Sequence, residues 1–371
     1  MIVGVLKEPS FESRVSLLAE GVTALMKKKV EVWVEAGAGA AAFCADAEYE
    51  KAGAVIRSKS ELLVSADILL GIQFDDVPVL LQHKILIGVY QPLYNTGVMA
   101  AWARQEITSF SLDMLPRTTR AQSMDVLSSQ ANIAGYKAVL LAANLFPRYF
   151  PMFMTAAGSI PPAKLLVLGA GVAGLQAIAT ARRLGAVVEV FDTRPAVREE
   201  VMSLGGKFIE VEGAADASAA GGYAVQQSEE FQRRQRDRIA ASIKNADIVI
   251  TTAAIPGKKA PVLVTAEMIA AMKAGSVIID LASATGGNTE WTKDRETVVR
   301  GGVTIVGNSA LAATVPYDAS KLYGKNVLNF LQLIIDATGA VALNFSDDLV
   351  KGCCITHGGQ IVHERVGAAV G

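Results

Sequence analysis

Two groups of residues in this chain have the types and the spacing to do chemistry. The first is a glycine triplet: Leu165-Leu166-Val167-Leu168 runs directly into Gly169-Ala170-Gly171-Val172-Ala173-Gly174. At a strand-to-helix junction such a triplet receives a dinucleotide pyrophosphate. Gly169 permits the tight turn, Gly171 leaves room where phosphate must approach the backbone, and Gly174 lets the helix sit against the strand. The helix formers from Leu175 to Arg183 then place the positive end of a helix at the phosphate. A triplet alone is weak, and the chain carries a near match in Gly37-Ala38-Gly39 after the run Val30–Val34. The second strand separates the two. Val187–Phe191 ends on Asp192, 18 residues after Gly174, close to the spacing of a ribose-hydroxyl ligand. Past Ala42 the acids Asp46 and Glu48 come before any second strand could form, so the Gly37 segment reads as a structural turn. A carboxylate at Asp192 accepts hydrogen bonds from ribose hydroxyls and repels a 2′-phosphate. Arg194 argues mildly the other way, but the acid comes first, and NAD(H) is favoured over NADP(H).

The second group is polar. Arg117-Thr118-Thr119-Arg120-Ala121-Gln122-Ser123-Met124-Asp125 precedes an apolar helix, with Ser128, Ser129 and Gln130 behind it. Two readings fit. One is a solvated loop in which Asp125 is a helix N-cap. The other is a loop reaching into an interdomain cleft, where ligand sites concentrate.

The elements that must position these residues follow from periodicity. Met1–Val5, Val30–Val34, Ile68–Ile72 and Ile85–Val89 read as strands, and Ala19–Lys29 and Glu48–Ala52 as helical. This alternation argues for a parallel sheet. Ala131–Leu145 is an apolar helical stretch stopped by Pro147, and Gly158-Ser159-Ile160-Pro161-Pro162 leads rigidly into a second unit. There, strands at Lys164–Leu168, Val187–Phe191, Phe208–Val211, Asp247–Thr251, Ser276–Leu281 and Val303–Gly307 make a complete doubly wound dinucleotide fold. After Asn308 a helix carrying Leu322, Val327, Leu328, Phe330, Leu331 and Ile334 returns to the first domain, and Leu349–Val366 reads as a small hairpin or arm. The expected class is α/β: two Rossmann-like domains with a cleft between them, the second a doubly wound parallel sheet. The expected domains are residues 1–131 with 319–371, and 132–318.

Bulk properties narrow the function. With 371 residues the chain should form about two domains. A net charge of −1 and a pI near 6.4 leave no electrostatic footprint for nucleic acid. A hydrophobic fraction of 51% and a mean hydropathy of +0.34 fit either a membrane protein or buried parallel strands. No apolar window reaches the roughly 18 residues that a spanning helix needs, so the excess belongs to a core and an interface. The start, Met1-Ile2-Val3-Gly4-Val5, does not read as a signal peptide. Cys44, Cys353 and Cys354 suit neither a disulfide framework nor zinc; the adjacent pair reads as small apolar filler on opposite faces of a strand, in a reducing, cytosolic setting. His83, His357 and His363 are scattered, and no metal is expected.

With these residues in view, the chain resembles proton-translocating NAD(P) transhydrogenase, specifically the NAD(H)-binding first component of its alpha subunit. Arg117…Arg120-Ala121-Gln122-Ser123-Met124-Asp125, then Leu127-Ser128-Ser129-Gln130-Ala131-Asn132 and Gly135-Tyr136, is similar to that family's Arg-Gln-Asp loop. Further support lies in Phe191-Asp192-Thr193-Arg194-Pro195, Gly221-Gly222-Tyr223, Thr251 through Lys258, Ile279 through Ala282 before Gly286-Gly287-Asn288, and Lys325 through Phe330. The likeness spans essentially the whole chain. It implies that Arg117, Gln122, Asp125 and Ser128 order the nicotinamide and its ribose, with Gln122 bridging toward a second nucleotide. It implies that Val172, Asp192, Thr193 and Arg194 hold the pyrophosphate and adenosine ribose, and that Gly222, Gln235 and Ala254 make further contacts. Tyr223 would ride on a mobile loop closing over the nucleotide, a plain surface loop being the alternative. NADP(H) would sit on a partner component and a membrane component would conduct protons. The chain would be a homodimer, peripheral on the cytoplasmic side of the inner (plasma) membrane.

Alanine dehydrogenase shares this architecture, and Gly4-Val5-Leu6-Lys7-Glu8…Arg14-Val15 resembles it too. That family works with an arginine, a lysine, a histidine and an aspartate. Here only Arg14 remains, while the other positions align with Gln73, Gln91 and Ala284, none able to shuttle a proton. Hydride transfer between two nicotinamides needs positioning and water exclusion instead. Arg14 is then expected to neutralise Glu8 or Glu12. An amino- or hydroxy-acid dehydrogenase and a non-catalytic NAD sensor remain the alternatives.

Overall fold

The computed structural model describes residues 1–74, 81–211, 213, 215, 227–255 and 257–370. Gly222 and Tyr223 lie outside the described residues, as does Pro256. The chain forms two compact units, Met1–Gln130 with Ala313–Gly371, and Ala131–Ala312.

In chain order the first unit opens with six strands: β1 Ile2–Val5, β2 Glu31–Glu35, β3 Val55–Arg57, β4 Ile68–Leu70, β5 Ile85–Gly88 and β6 Thr108–Ser111. The second unit carries β7 Phe153–Thr155, β8 Gly158–Ile160, β9 Lys164–Leu168, β10 Val187–Phe191, β11 Lys207–Phe208, β12 Ile248–Thr251, β13 Val277–Asp280, β14 Glu296–Arg300 and β15 Val303–Gly307. The chain then returns through the Pro316–Ile334 helix to β16 Cys354–His357 and β17 Gln360–Ile361.

The first sheet runs β17-β16-β6-β5-β4-β1-β2-β3, parallel from β6 to β3, with β16 and β17 added antiparallel at one edge. Its strands are apolar on both faces because helices cover both. Ile68 and Leu70 pack in a layer with Val22 and Leu25 of the Ala19–Met26 helix and Phe330 and Ile334 of the Pro316–Ile334 helix. Leu69 and Leu86 point the other way, against Leu62, Met99 and Trp102. Each such buried aliphatic side chain stabilises the fold by roughly 1.5–3 kcal/mol relative to exposure.

The second sheet runs β11-β10-β9-β12-β13-β15-β14, with only the edge strand β14 antiparallel. Leu165 and Val167 face Ala138 and Ala142 of the Val126–Leu145 helix and Ala177 and Ile178 of the Val172–Arg183 helix. Leu166 and Leu168 face Phe231, Ile239 and Ile243 of the Glu229–Ile243 helix. All six expected parallel strands are present, although the third shrinks to Lys207–Phe208. Pairing alone reveals β14, β3 and β6, whose short or polar sequences carry little periodicity. β7 and β8 form a separate antiparallel hairpin in place of the simple extended lead-in expected there.

The C-terminal tail contains the expected hairpin, β16 with β17, but flanked by helices Asp348–Cys353 and Glu364–Val370. Cys353 therefore ends a helix and Cys354 starts a strand, so the pair does not share a strand as expected; both thiols are free and buried. Among the described residues no helix is long and apolar enough to cross a membrane.

Candidate nucleotide-binding site

In the second sheet the chain reverses direction about β9, which lies between β10 and β12. The strand order turns at this point, and the crevice beyond the carboxyl ends of the strands is where open α/β sheets receive ligands. The glycine turn follows β9 there, and the Thr252–Ala254 segment follows β12 beside it.

Each glycine has a distinct physical reason. Gly169 adopts φ +107°, and a Cβ on it would stand 2.5 Å from Thr252 Oγ1. That hydroxyl donates to the Gly169 carbonyl at 3.1 Å. A Cβ on Gly174 would stand 1.9 Å from the same carbonyl, so only glycine lets the helix lie this close to the turn. At Gly171 a Cβ would meet nothing within 4 Å. The turn is thus closed toward the protein and open at the one glycine that a pyrophosphate must approach. The Val172–Arg183 helix starts at Gly171 with no side-chain cap. Its first-turn N–H groups lack intrahelical acceptors and point out of the helix end. This donor set fits a phosphate.

Asp192 stands at the end of β10 as expected, but its carboxylate is occupied. Oδ2 accepts from Ala170 N–H and Arg194 Nη2, each at 2.7 Å, and Oδ1 accepts from Arg194 N–H at 2.8 Å and Nε at 2.9 Å. The acid ties β10 to the turn, and a ribose approaching it must share or displace the Arg194 guanidinium. Thr193 lies between the two and is half-buried, Val172 opens the helix, and Ala254 is exposed beyond β12. Gln235 falls on the buried stripe of its helix, in line with Phe231 and Ile239.

The near match at Gly37 is filled by the chain itself. Gly37 N–H donates to both oxygens of Asp46, at 2.9 and 3.1 Å, and a Cβ on Gly39 would stand 2.5 Å from the Cys44 carbonyl. An internal carboxylate sits where an anion would have to bind.

In the first unit, Thr119–Met124 is a turn of 3-10 helix leading through Asp125 into the Val126–Leu145 helix. Asp125 Oδ1 accepts from Ser128 N–H at 2.9 Å and Oδ2 from Ser128 Oγ at 2.5 Å. The N-cap reading of Asp125 is therefore observed, and it brings two of the expected site residues together. Ala121 and Met124 are buried, whereas Arg117, Gln122 and Ser123 are exposed.

Arg14 does pair with Glu12, through Nε at 2.8 Å and Nη2 at 2.6 Å, and its Nη1 donates to Gln130 Oε1 at 2.7 Å. Glu8 is held otherwise. It accepts from the backbone N–H groups of Ile72 and Gln73 at 2.6 and 3.1 Å, and burial pushes its carboxyl up to about 8. Glu8 follows β1 and its partners follow β4, so an internal carboxyl fills the first sheet's own reversal point.

One supporting residue has no role that its sequence context announces. Asn288, fully buried, accepts from Ala253 N–H at 3.0 Å and donates to the Ala253 and Pro261 carbonyls, both at 2.8 Å. It pins the segment beyond β12 that presents Ala254. The available signal is Gly286-Gly287 just ahead of it, both with positive φ, 103° and 77°. Among the described residues no group of three or more His, Cys, Asp or Glu could hold a metal.

A doubly wound sheet with a glycine turn at its reversal point and an acid on the next strand defines a Rossmann-type nucleotide-binding protein. Family profiles make this specific: "Alanine dehydrogenase/PNT, N-terminal domain" matches residues 4–134 and "Alanine dehydrogenase/PNT, C-terminal domain" residues 138–364. The chain is 46% identical over 364 residues to the first of the separate chains that make up the NAD(P) transhydrogenase alpha subunit of Rhodospirillum rubrum, covering 95% of each chain. It is 40% identical over 366 residues to NAD(P) transhydrogenase subunit alpha of Haemophilus influenzae, covering 97% of this chain and 71% of that one. The crystal structure of transhydrogenase from Sinorhizobium meliloti superposes with a TM-score of 0.88 at 45% identity, covering 97% of this chain and 100% of that one. An L-alanine dehydrogenase shares the fold, with a TM-score of 0.82 at 23% identity over 100% of this chain and 99% of the other. The chain belongs to the alanine dehydrogenase/PNT family.

Proposed function

We propose that this chain is the NAD(H)-binding component of a proton-translocating NAD(P) transhydrogenase. The observation that carries the reading is a combination. A phosphate-accepting turn lies at the reversal point of the second sheet, while Gln73, Gln91 and Ala284 stand where an alanine dehydrogenase handles protons. Bound NAD(H) supplies the carbon that gives or takes a hydride. The protein's own groups bind and orient. The first-turn N–H groups of the Val172–Arg183 helix and the space at Gly171 receive the pyrophosphate, and Asp192 with Thr193 and Arg194 receives the adenosine ribose. Arg117, Gln122, Asp125 and Ser128 orient the nicotinamide end, with the Asp125–Ser128 pair presenting a fixed polar surface. Gly222, Gln235 and Ala254 add nucleotide contacts, and Tyr223 closes over the ligand to exclude water. No residue in these roles gives or accepts a proton at the reacting carbons, which suits hydride exchange between two nicotinamides.

The second nucleotide, NADP(H), belongs to a partner component, and a membrane component conducts the protons. A second copy of this chain completes the component. The exposed hairpin supports this, since Met152, Phe153 and Met154 expose 61%, 43% and 75% of their surface, an apolar patch suited to an interface. The assembly sits on the cytoplasmic face of the inner membrane.

The test mixes the protein with a transhydrogenase NADP(H)-binding component and follows reduction of an NAD analogue by NADPH. Turnover there, with no NAD reduction by alanine, is expected. Confirmed NADH binding without turnover would overturn the reading in favour of a sensor, and alanine-dependent NAD reduction in favour of a dehydrogenase. Gln122→Asn should slow exchange far more than it weakens NADH binding; equal losses would remove the bridging role.

A further inference from the structure

Gln122 is exposed on a short turn, yet the structure fastens that turn on both sides of it. On one side Arg120 donates to both carboxylate oxygens of Asp347, at 2.6 and 2.7 Å, and also pairs with Asp348. Asp347 is itself fixed as the N-cap of the Asp348–Cys353 helix, accepting from the N–H groups of Leu349 and Val350. On the other side the Ser123 carbonyl accepts two side-chain amides at once, Asn326 Nδ2 at 2.8 Å and Asn329 Nδ2 at 2.9 Å. Both come from one face of the Pro316–Ile334 helix, three residues apart. The orientation of the Asn326 amide is set by its other end, because Ser129 Oγ donates to Asn326 Oδ1 at 2.8 Å. Ser129 in turn accepts Gln130 Nε2 at 3.3 Å, and Gln130 Oε1 accepts from Arg14. Beneath the turn Ala121 and Met124 are buried in the core.

A solvated loop needs none of this. Two amides converging on one carbonyl fix the peptide that follows Gln122, and the Arg120 fork fixes the backbone two residues before it. We propose that Asn326, Asn329 and Arg120 are positioning residues for Gln122: they hold an exposed turn in one geometry so that the Gln122 amide is pre-set for the nucleotide. This rests on the functional reading above and adds residues to it. Pre-setting matters because a misplacement of about 1 Å can cost on the order of 100-fold in rate while leaving affinity from the rest of the ligand intact.

The test uses the full chain with Asn329→Ala, which removes an exposed partner, and Asn326→Asp, which keeps the oxygen facing Ser129 and sets an acceptor against the Ser123 carbonyl. Without nucleotide, amide hydrogen exchange across residues 118–125 should quicken by roughly tenfold in the double variant, the equivalent of about 1.4 kcal/mol. With the NADP(H)-binding component, hydride exchange should fall about 10- to 100-fold while NADH affinity stays within about twofold. Unchanged amide exchange at 118–125, or NADH affinity falling in step with hydride exchange, would overturn the clamp. If Asn326→Asp does not fold, Asn329→Ala alone carries both measurements. A wild-type chain that exchanges no hydride would strike the functional reading alone, and the amide-exchange arm would still judge the clamp.

Discussion

Gly171→Ala separates binding from folding at a single atom. The residue has φ −78° and ψ −169°, an extended conformation open to alanine, and a Cβ there meets nothing within 4 Å. Removing glycine from the unfolded chain stabilises by about 0.4–1 kcal/mol. Against this, Gly171 is the N-cap of the Val172–Arg183 helix, where alanine is poorer than glycine by roughly 0.5–1 kcal/mol. The two nearly cancel, so folding stability should stay within about 0.5 kcal/mol of the parent. Binding should not. The new methyl enters the space through which the pyrophosphate reaches the helix N-terminus, and crowding of this size costs about 1–3 kcal/mol, roughly 5- to 150-fold in NADH affinity. Gly174→Ala is the control with the opposite pattern, because its Cβ would stand 1.9 Å from the Gly169 carbonyl and the helix must move. Urea unfolding and NADH fluorescence titration of the two variants decide it. A Gly171→Ala protein that binds NADH like its parent, or that loses more than about 2 kcal/mol of stability, would refute the reasoning.

Asn288→Ala would leave the Ala253 N–H and the Ala253 and Pro261 carbonyls without their buried partner. A loss of about 3 kcal/mol or more in stability, with weakened NADH binding, is expected from urea titration; a loss below about 1 kcal/mol would show that the segment beyond β12 is held by something else. Glu8 gives a pH signature. Its folded carboxyl sits near 8 against an ordinary 4.5, so the folded chain keeps a proton that the unfolded chain releases. That contribution is complete below about 4.5 and is lost as pH rises toward about 8. The urea midpoint of the parent should therefore decline across this window, and Glu8→Gln should decline less. Parallel pH profiles would show that Glu8 ionises freely in the fold.

The parts of the fold that were legible share one cause. Parallel strands buried on both faces must be continuously apolar, and Leu165–Leu168, Val187–Phe191 and Val303–Gly307 announce themselves for that reason. β3 and β14 do not, because each is a short edge strand with a partly exposed face that pairing selects and composition does not. The same division runs through the site. Gly169, Gly171, Gly174 and Asp192 are readable because steric and hydrogen-bonding demands there admit few residue types. Asn288, Asn326 and Asn329 are ordinary amides until a carbonyl from a distant segment is brought to within hydrogen-bonding distance.

From its residues alone, then, this protein has an α/β class, a dinucleotide turn and an acid placed for the ribose, since these depend on local spacing and on what a backbone conformation tolerates. Its sequence also rules against proton-handling chemistry at positions 73, 91 and 284, because side-chain identity is enough to judge that. The tertiary structure decided the rest. It turned the Asp192 carboxylate onto Arg194, plugged the Gly37 turn with Asp46, set Glu8 at the first sheet's reversal point, and bound the Ser123 carbonyl to a helix some two hundred positions away. Hydrogen bonds between segments that far apart depend on how sheets and helices pack, and no local pattern encodes which carbonyl an amide will find.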